Sequence, residues 1–179
     1  NSFKKIIKWK NLRAEYAIDV KMVYLLLLTE FVIDKTSQSE GYEIALESLN
    51  KAWDWIKYKN IDAYSLYLCL ENMDEKDIMT YMELEEDPGL ETAWICIGDA
   101  LAYIIREAYL YEKEKYLPQT IESVDDETVE SFIANFKKIY NHCDVANQLL
   151  DYLEHNYPKN STKKVDIDSV KAVIKDVIH

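Results

Sequence analysis

The stretch DPGLETAWICIGDALAYIIREAYLYEKEK, residues 87–115, decides the fold class of this chain. Asp87 is a residue type that favours the position just before a helix, and Pro88 suits the first turn, where its missing N–H costs nothing. Apolar residues then recur at steps of four and three, which is the spacing of one helical face. They are Leu90, Trp94, Ile97, Leu101, Ile104 and Ala108. The stretch therefore predicts a long helix that begins at Asp87-Pro88 and runs to about Lys115.

The rest of the chain also shows helical periodicity, and no segment alternates with a period of two. The middle of the first helix, residues 22–28, is apolar all round, so neighbouring helices are expected to surround it. Asp74 is expected to cap the fourth helix, and the polar breaks between helices are short. The sequence predicts an all-α fold: a single compact bundle of about seven helices, forming one domain over residues 1–179. The other six helices are expected over about 12–34, 41–58, 61–73, 75–86, 126–155 and the segment that follows Asp166 or Asp168.

Composition excludes several classes of protein. The formal net charge of −12 disfavours binding to bare nucleic acid, whose affinity comes from neutralising phosphates. The longest apolar run, residues 22–28, is far shorter than the roughly 20 residues of a membrane span. The three cysteines are widely spaced and odd in number, which disfavours a disulfide framework or a zinc site. Without a signal-peptide pattern, a cytoplasmic protein that binds no membrane is expected.

No motif in the sequence indicates catalysis. The histidines, His142, His155 and His179, are too far apart in sequence to share one helical face, and each is expected at the surface. Three glycines, at 41, 89 and 98, cannot form a phosphate-binding loop. We therefore expect no metal, no cofactor and no enzymatic activity.

Negative charge is concentrated in one part of the chain. Residues 71–91 hold nine acidic residues against one basic residue. Such a run is most often a solubilising face, and acids at helix starts also complement the helix dipole. Glu83, Glu85 and Glu86, however, stand where a helix is expected to end, and there the dipole disfavours them. This small destabilisation of the helix end is not offset by any structural role evident in the sequence, so it indicates a surface used for a basic protein partner.

Aromatic residues add to this picture. Trp53 and Trp55 are two positions apart, so on a helix they cannot face the same core. Trp53 is expected to join the apolar stripe, and Trp55 to lie either under a neighbouring helix or partly exposed. Tyrosine outnumbers phenylalanine by 14 to 4, and tyrosine is enriched at protein interfaces. The residues predicted to bind a partner are Trp55, Glu71, Asp74, Glu75, Asp77, Tyr81, Glu83, Glu85, Glu86 and Asp87.

Two segments carry a resemblance to a known family. The first is the helix with Ala45-Leu-Glu-Ser-Leu-Asn-Lys-Ala-Trp53, and the second is Asp87-Pro88-Gly-Leu, which opens the helix with Trp94. In this order, on an acidic and glycine-poor chain, they resemble bacterial immunity proteins of polymorphic-toxin and contact-dependent inhibition systems, and in particular the sixth numbered immunity family. The resemblance spans residues 12–155. It implies a mostly α-helical fold and a role as a toxin inhibitor in bacterial competition.

The resemblance and the charge together predict an immunity protein that binds and neutralises a cognate toxin domain. A nuclease toxin has to be basic to hold phosphates, so an acidic partner can cover its active site. One alternative is a non-catalytic helical adaptor or regulator of another basic protein. A further alternative is a helical bundle with a small-ligand or catalytic site. A neighbouring toxin gene would separate the first two hypotheses, and a deep pocket with converging polar side chains would favour the third.

Overall fold

A computed structural model describes residues 18–158, 161 and 163–178 of the chain. Within these residues the secondary structure is helical, without a strand, so the predicted all-α class is confirmed. The described helices, in chain order, are α1 (Ile18–Asp34), α2 (Tyr42–Tyr58), α3 (Ala63–Leu70), α4 (Ile78–Leu84), α5 (Pro88–Tyr111), α6 (Gln119–Glu122), α7 (Asp126–Ile139), α8 (Val145–Asn156) and α9 (Ile167–Ile178).

Helix α5 lies at the centre of this arrangement. It contacts α1, α2, α3, α4, α6 and α7, and its most extensive interface is with α7. Its start agrees with the sequence prediction, because the Asp87 side chain accepts a hydrogen bond from the Leu90 N–H and Pro88 occupies the first turn. Its end comes at Tyr111, earlier than predicted. There Lys113 adopts a left-handed conformation with φ 59°, which turns the chain away from the helix axis.

Helix α1 is the second buried element. Every residue from 20 to 29 is buried, which confirms that the apolar middle of this segment is surrounded. Its neighbours are α2, α5, α7 and α8. The first part of the predicted helix, residues 12–17, lies outside the described residues, as does His179.

The predicted helix over residues 126–155 is wrong, because the structure divides it into α7 and α8. Tyr140 leaves the helical conformation, with φ −111° and ψ 57°. Its hydroxyl donates a hydrogen bond of 2.6 Å to the Phe31 carbonyl, and its ring stacks on Phe136 at 4.9 Å between centroids. After the turn, α8 packs on α1, where the Tyr24 hydroxyl donates to the Ala146 carbonyl. Tertiary contacts to α1 therefore outweigh the helical periodicity of the segment.

The region around α4 also differs from the prediction. Asp77, and not Asp74, caps α4, and its side chain accepts hydrogen bonds from the N–H groups of Thr80 and Asn72. Helices α3 and α4 are each shorter than predicted, and Met73 lies beyond the end of α3. One helical turn, α6, lies between α5 and Asp125.

Two glycines offer a matched test of the packing around α5. A Cβ at Gly41 would lie 2.5 Å from the Tyr81 Cγ and 2.8 Å from the Trp94 Cη2, both parts of rigid rings. A Cβ at Gly98 would lie 2.8 Å from Cε at the flexible end of the Met82 side chain and in ordinary contact with Ile78 Cγ2 at 3.8 Å. We expect Gly41→Ala to lower the free energy of unfolding by about 1–3 kcal/mol, as overpacking does.

Gly98→Ala is the control, since Met82 can adjust and alanine favours a helix interior over glycine. It should stay within about 1 kcal/mol of the wild type in urea unfolding. Equal stability of the two variants would show that the rings beside Gly41 are not closely packed.

A carboxyl group at the interface of α5 and α7 makes stability depend on pH. Burial raises the pKa of Asp99 to about 6, and a hydrogen bond of 3.0 Å from the Ser131 hydroxyl counteracts this only in part. The folded state therefore binds the proton of Asp99 more tightly than the unfolded state does. The stabilisation from this protonated carboxyl is present at low pH and is lost as the pH rises towards 6. At neutral pH the fold carries an ionised carboxylate that burial disfavours.

We accordingly expect Asp99→Asn to stabilise the protein by up to about 3 kcal/mol at about pH 7.5. The gain should shrink at about pH 4.5, where the wild-type carboxyl is protonated in the folded state. Urea unfolding at the two pH values measures the free energy of unfolding of the variant and the wild type, and Asp54→Asn, at an exposed position, is the control. A gain that does not change with pH would contradict the role assigned to burial.

Candidate protein-binding surface

The connection between α3 and α4 is a loop that its own side chains hold in place. The Asn72 side chain donates to the carbonyls of Leu68 and Lys76 and accepts from the Asp74 N–H. The Asp77 carboxylate accepts from the Asn72 N–H at 2.8 Å. Because both ends of the loop are tied together, Asp74 and the left-handed Glu75 are held at its outside. We call residues 71–87, which comprise this loop, α4 and the residues up to the start of α5, the acidic segment.

Part of the acidic segment points its charge into solvent. The side chains of Asp74, Glu75, Glu83 and Glu86 are exposed. Within the described residues none of the four carboxylates accepts a hydrogen bond or joins an ion pair. Their negative charge is therefore free to act on a partner.

The other carboxylates of the segment hold the structure together. Glu85 Oε1 accepts a hydrogen bond of 3.1 Å from the indole N–H of the buried Trp94. Glu71 Oε2 accepts from the hydroxyls of Tyr67 and Thr120. The expectation that Glu85 has no structural role is thus wrong. Asp77 is fully buried as the cap of α4, so it supports the surface and cannot itself contact a partner.

The two aromatic residues predicted to bind a partner have different positions. Tyr81 is half-buried, and its ring stacks on Trp94 at 5.9 Å between centroids. Trp55 is buried, its ring is roughly perpendicular to that of Tyr111, and the Lys59 ammonium lies 4.2 Å from its centroid. Of the two positions that the sequence allowed for Trp55, under a neighbouring helix or partly exposed, the structure shows the buried one.

Sequence reasoning missed two exposed apolar side chains in the acidic segment. Met73 is 97% exposed in the loop, and Leu84 is 69% exposed at the end of α4. Met73 lies beyond the end of α3 and Leu84 is the last residue of α4, so both side chains are left in solvent. A signal was present in the flanking sequence, because Met73 stands between Asn72 and Asp74, both of which favour turns.

The described part of the chain contains no group of three or more His, Cys, Asp or Glu residues that could hold a metal ion. His142 and His155 are exposed, as expected. An open groove of about 530 Å³ runs beside the start of α5, with Lys35, Asp87 and Lys138 as its charged residues. None of the helices in the described ranges has the length and apolarity that crossing a membrane requires.

Residues 20–139 match a family model described as immunity protein Imm6. The matched residues make up about two thirds of the chain and include the entire acidic segment and helix α5. No curated protein and no solved structure was found to match the chain.

Because the acidic segment contains both supporting and exposed carboxylates, neighbouring substitutions should differ in how strongly they change stability. Glu85→Ala leaves the buried indole N–H of Trp94 without its acceptor, so we expect a loss of about 1–3 kcal/mol in the free energy of unfolding. Glu86→Ala removes an exposed charge and should change it by less than about 0.5 kcal/mol. Chemical unfolding of both variants measures this. A neutral Glu85→Ala would show that the bond to Trp94 does not support the segment.

Proposed function

The chain belongs to the Imm6 immunity protein family, and from this premise we propose that it binds a cognate toxin domain and neutralises it. We further propose that the toxin domain is basic, as a nuclease has to be in order to hold phosphates, and that the acidic segment is the surface it contacts. The protein itself performs no chemistry in this proposal, and it acts in the cytoplasm.

The observation that carries the proposal is the mixed character of the exposed side chains in the acidic segment. Four free carboxylates accompany two large apolar side chains, Met73 and Leu84. A solubilising face needs only the charges, whereas a protein interface also needs apolar groups that are removed from water in its centre. Met73 and Leu84 supply that apolar area, and the carboxylates supply complementarity to a basic partner.

In the proposed mechanism the inhibitor occupies the surface that the toxin uses for its substrate. Carboxylates that face solvent present negative charge at a protein surface much as a phosphate backbone does, and they attract a basic domain over a distance. We assign direct contact to Asp74, Glu75, Glu83 and Glu86, with Asp87 at the edge of the surface. Glu71, Asp77, Tyr81 and Glu85 position them through contacts in the segment. Trp55 is buried beneath the other end of α5 and has no part in this contact.

The test is the rate of association with the protein encoded by the gene next to this one. Reversing Asp74, Glu83 and Glu86 to Lys should slow association at low salt by about ten-fold or more, because these charges steer the encounter. The difference from the wild type should narrow at high salt, which screens charges at a distance. The fold should survive, since exposed charges contribute little to stability.

The control makes the same change of net charge elsewhere, by reversing Asp54, Asp168 and Asp176, which are exposed on α2 and α9. This variant should lose much less of the association rate. Equal rates for the two triple variants would place the interface outside the acidic segment. A wild-type protein that does not bind the toxin domain at all would overturn the proposed function.

A further inference from the structure

An exposed aromatic surface lies where the start of α3 meets the end of α5. Tyr64 on α3 is 60% exposed, Tyr67 is half-buried, and the buried Tyr109 of α5 lies close to both. The two helix ends are joined by a hydrogen bond of 2.8 Å from the Ala63 N–H to the Glu112 carboxylate. We call this surface the tyrosine patch and define it as Tyr64 and Tyr67 with the supporting Tyr109.

The rings of the tyrosine patch are held in place from below. The Tyr64 and Tyr67 ring centroids are 6.4 Å apart, and the Tyr67 hydroxyl donates a hydrogen bond to Glu71. The hydroxyl of the buried Tyr109 lies near those of Tyr64 and Tyr67. A rigid aromatic surface of this kind loses little side-chain entropy when a partner covers it.

Negative charge surrounds the patch. Burial raises the pKa of Tyr109, and the carboxylates of Glu112, Glu114 and Asp62 raise it further, so three acidic groups lie near this one hydroxyl. Burial, together with the hydrogen bond to Glu71, raises the pKa of Tyr67 to about 12. Among the residues that the structure describes, none of these four carboxylates forms an ion pair, although Lys113 and Lys115 occupy the same turn as Glu114.

The patch is continuous with the acidic segment. Glu71 connects the two surfaces, because it accepts a hydrogen bond from the Tyr67 hydroxyl and begins the loop that leads to α4. Helices α3 and α4 contact each other and lie against α5. Along α5, Trp94 beneath the acidic segment and Tyr109 in the patch are about 22 Å apart at 1.5 Å per residue. An interface of about 800 Å² per partner is about 30 Å across, so one partner can cover both surfaces.

We propose that the tyrosine patch is a second contact surface for the toxin domain, and that it binds an arginine-bearing basic segment of that domain. This inference rests on the proposed function. An arginine guanidinium can lie flat on an exposed tyrosine ring and at the same time pair with a carboxylate beside it. Tyr64 provides the exposed ring, and Asp62, Glu112 and Glu114 provide the carboxylates. Tyrosine is one of the residue types enriched among the residues that contribute most to binding energy at interfaces.

The test measures the affinity of single variants for the toxin domain encoded by the neighbouring gene. Tyr64→Ala should weaken binding by about ten-fold or more, mainly through faster dissociation. The exposed position of Tyr64 should keep the fold intact. The control is Tyr58→Ala, which removes an equally exposed tyrosine, at 67%, that lines a groove beside residues 164–168. It should leave the affinity within about two-fold of the wild type.

Amide hydrogen exchange with and without the toxin domain gives an independent readout. If the toxin domain covers the tyrosine patch, the amides of residues 62–71 and 109–114 should be protected in addition to those of the acidic segment. Protection confined to residues 73–87, with Tyr64→Ala binding as tightly as the wild type, would overturn the patch and leave the proposed function standing. A wild-type protein that shows neither binding nor protection would overturn both.

Discussion

Helix α5 has to bury apolar side chains around nearly its whole circumference, and this requirement arranges the rest of the described structure. Fourteen of its 24 residues are buried, and six other helices contact it. Both proposed contact surfaces depend on it. At its start, Trp94 anchors the acidic segment through Glu85 and Tyr81. At its end, Glu112 and Tyr111 join it to α3 and α2. A partner that binds these surfaces therefore binds elements fixed by the core of the protein.

The parts of the fold that local chemistry determines could be predicted from the sequence. The start of α5 follows from an Asp-Pro pair, and the burial of residues 20–29 follows from an unbroken apolar run. The break between α7 and α8 could not be predicted, because its cause is a hydrogen bond from Tyr140 to Phe31, which is 109 residues away in the chain. The buried position of Trp55 likewise depends on Tyr111, a contact between helices that periodicity does not specify.

The location of the acidic segment could also be predicted, but not the roles of its individual carboxylates. Glu83, Glu85 and Glu86 are equivalent in sequence terms, yet Glu85 alone of the three accepts a hydrogen bond from a buried indole. Its role depends on the direction in which the chain leaves α4, and composition carries no information about that. The exposure of Met73 and Leu84 has the same origin, since it follows from where α3 and α4 end. In this way an apparently uniform acidic run is divided between supporting and exposed residues.

We propose that this protein inhibits a toxin by direct binding and without catalysis. Titrating the activity of the toxin domain from the neighbouring gene with increasing amounts of the purified protein tests this. Toxin activity should fall in proportion to the protein added and be lost when the two reach a fixed stoichiometric ratio. Full toxin activity in the presence of excess protein would contradict it, as would complete inhibition by a catalytic trace.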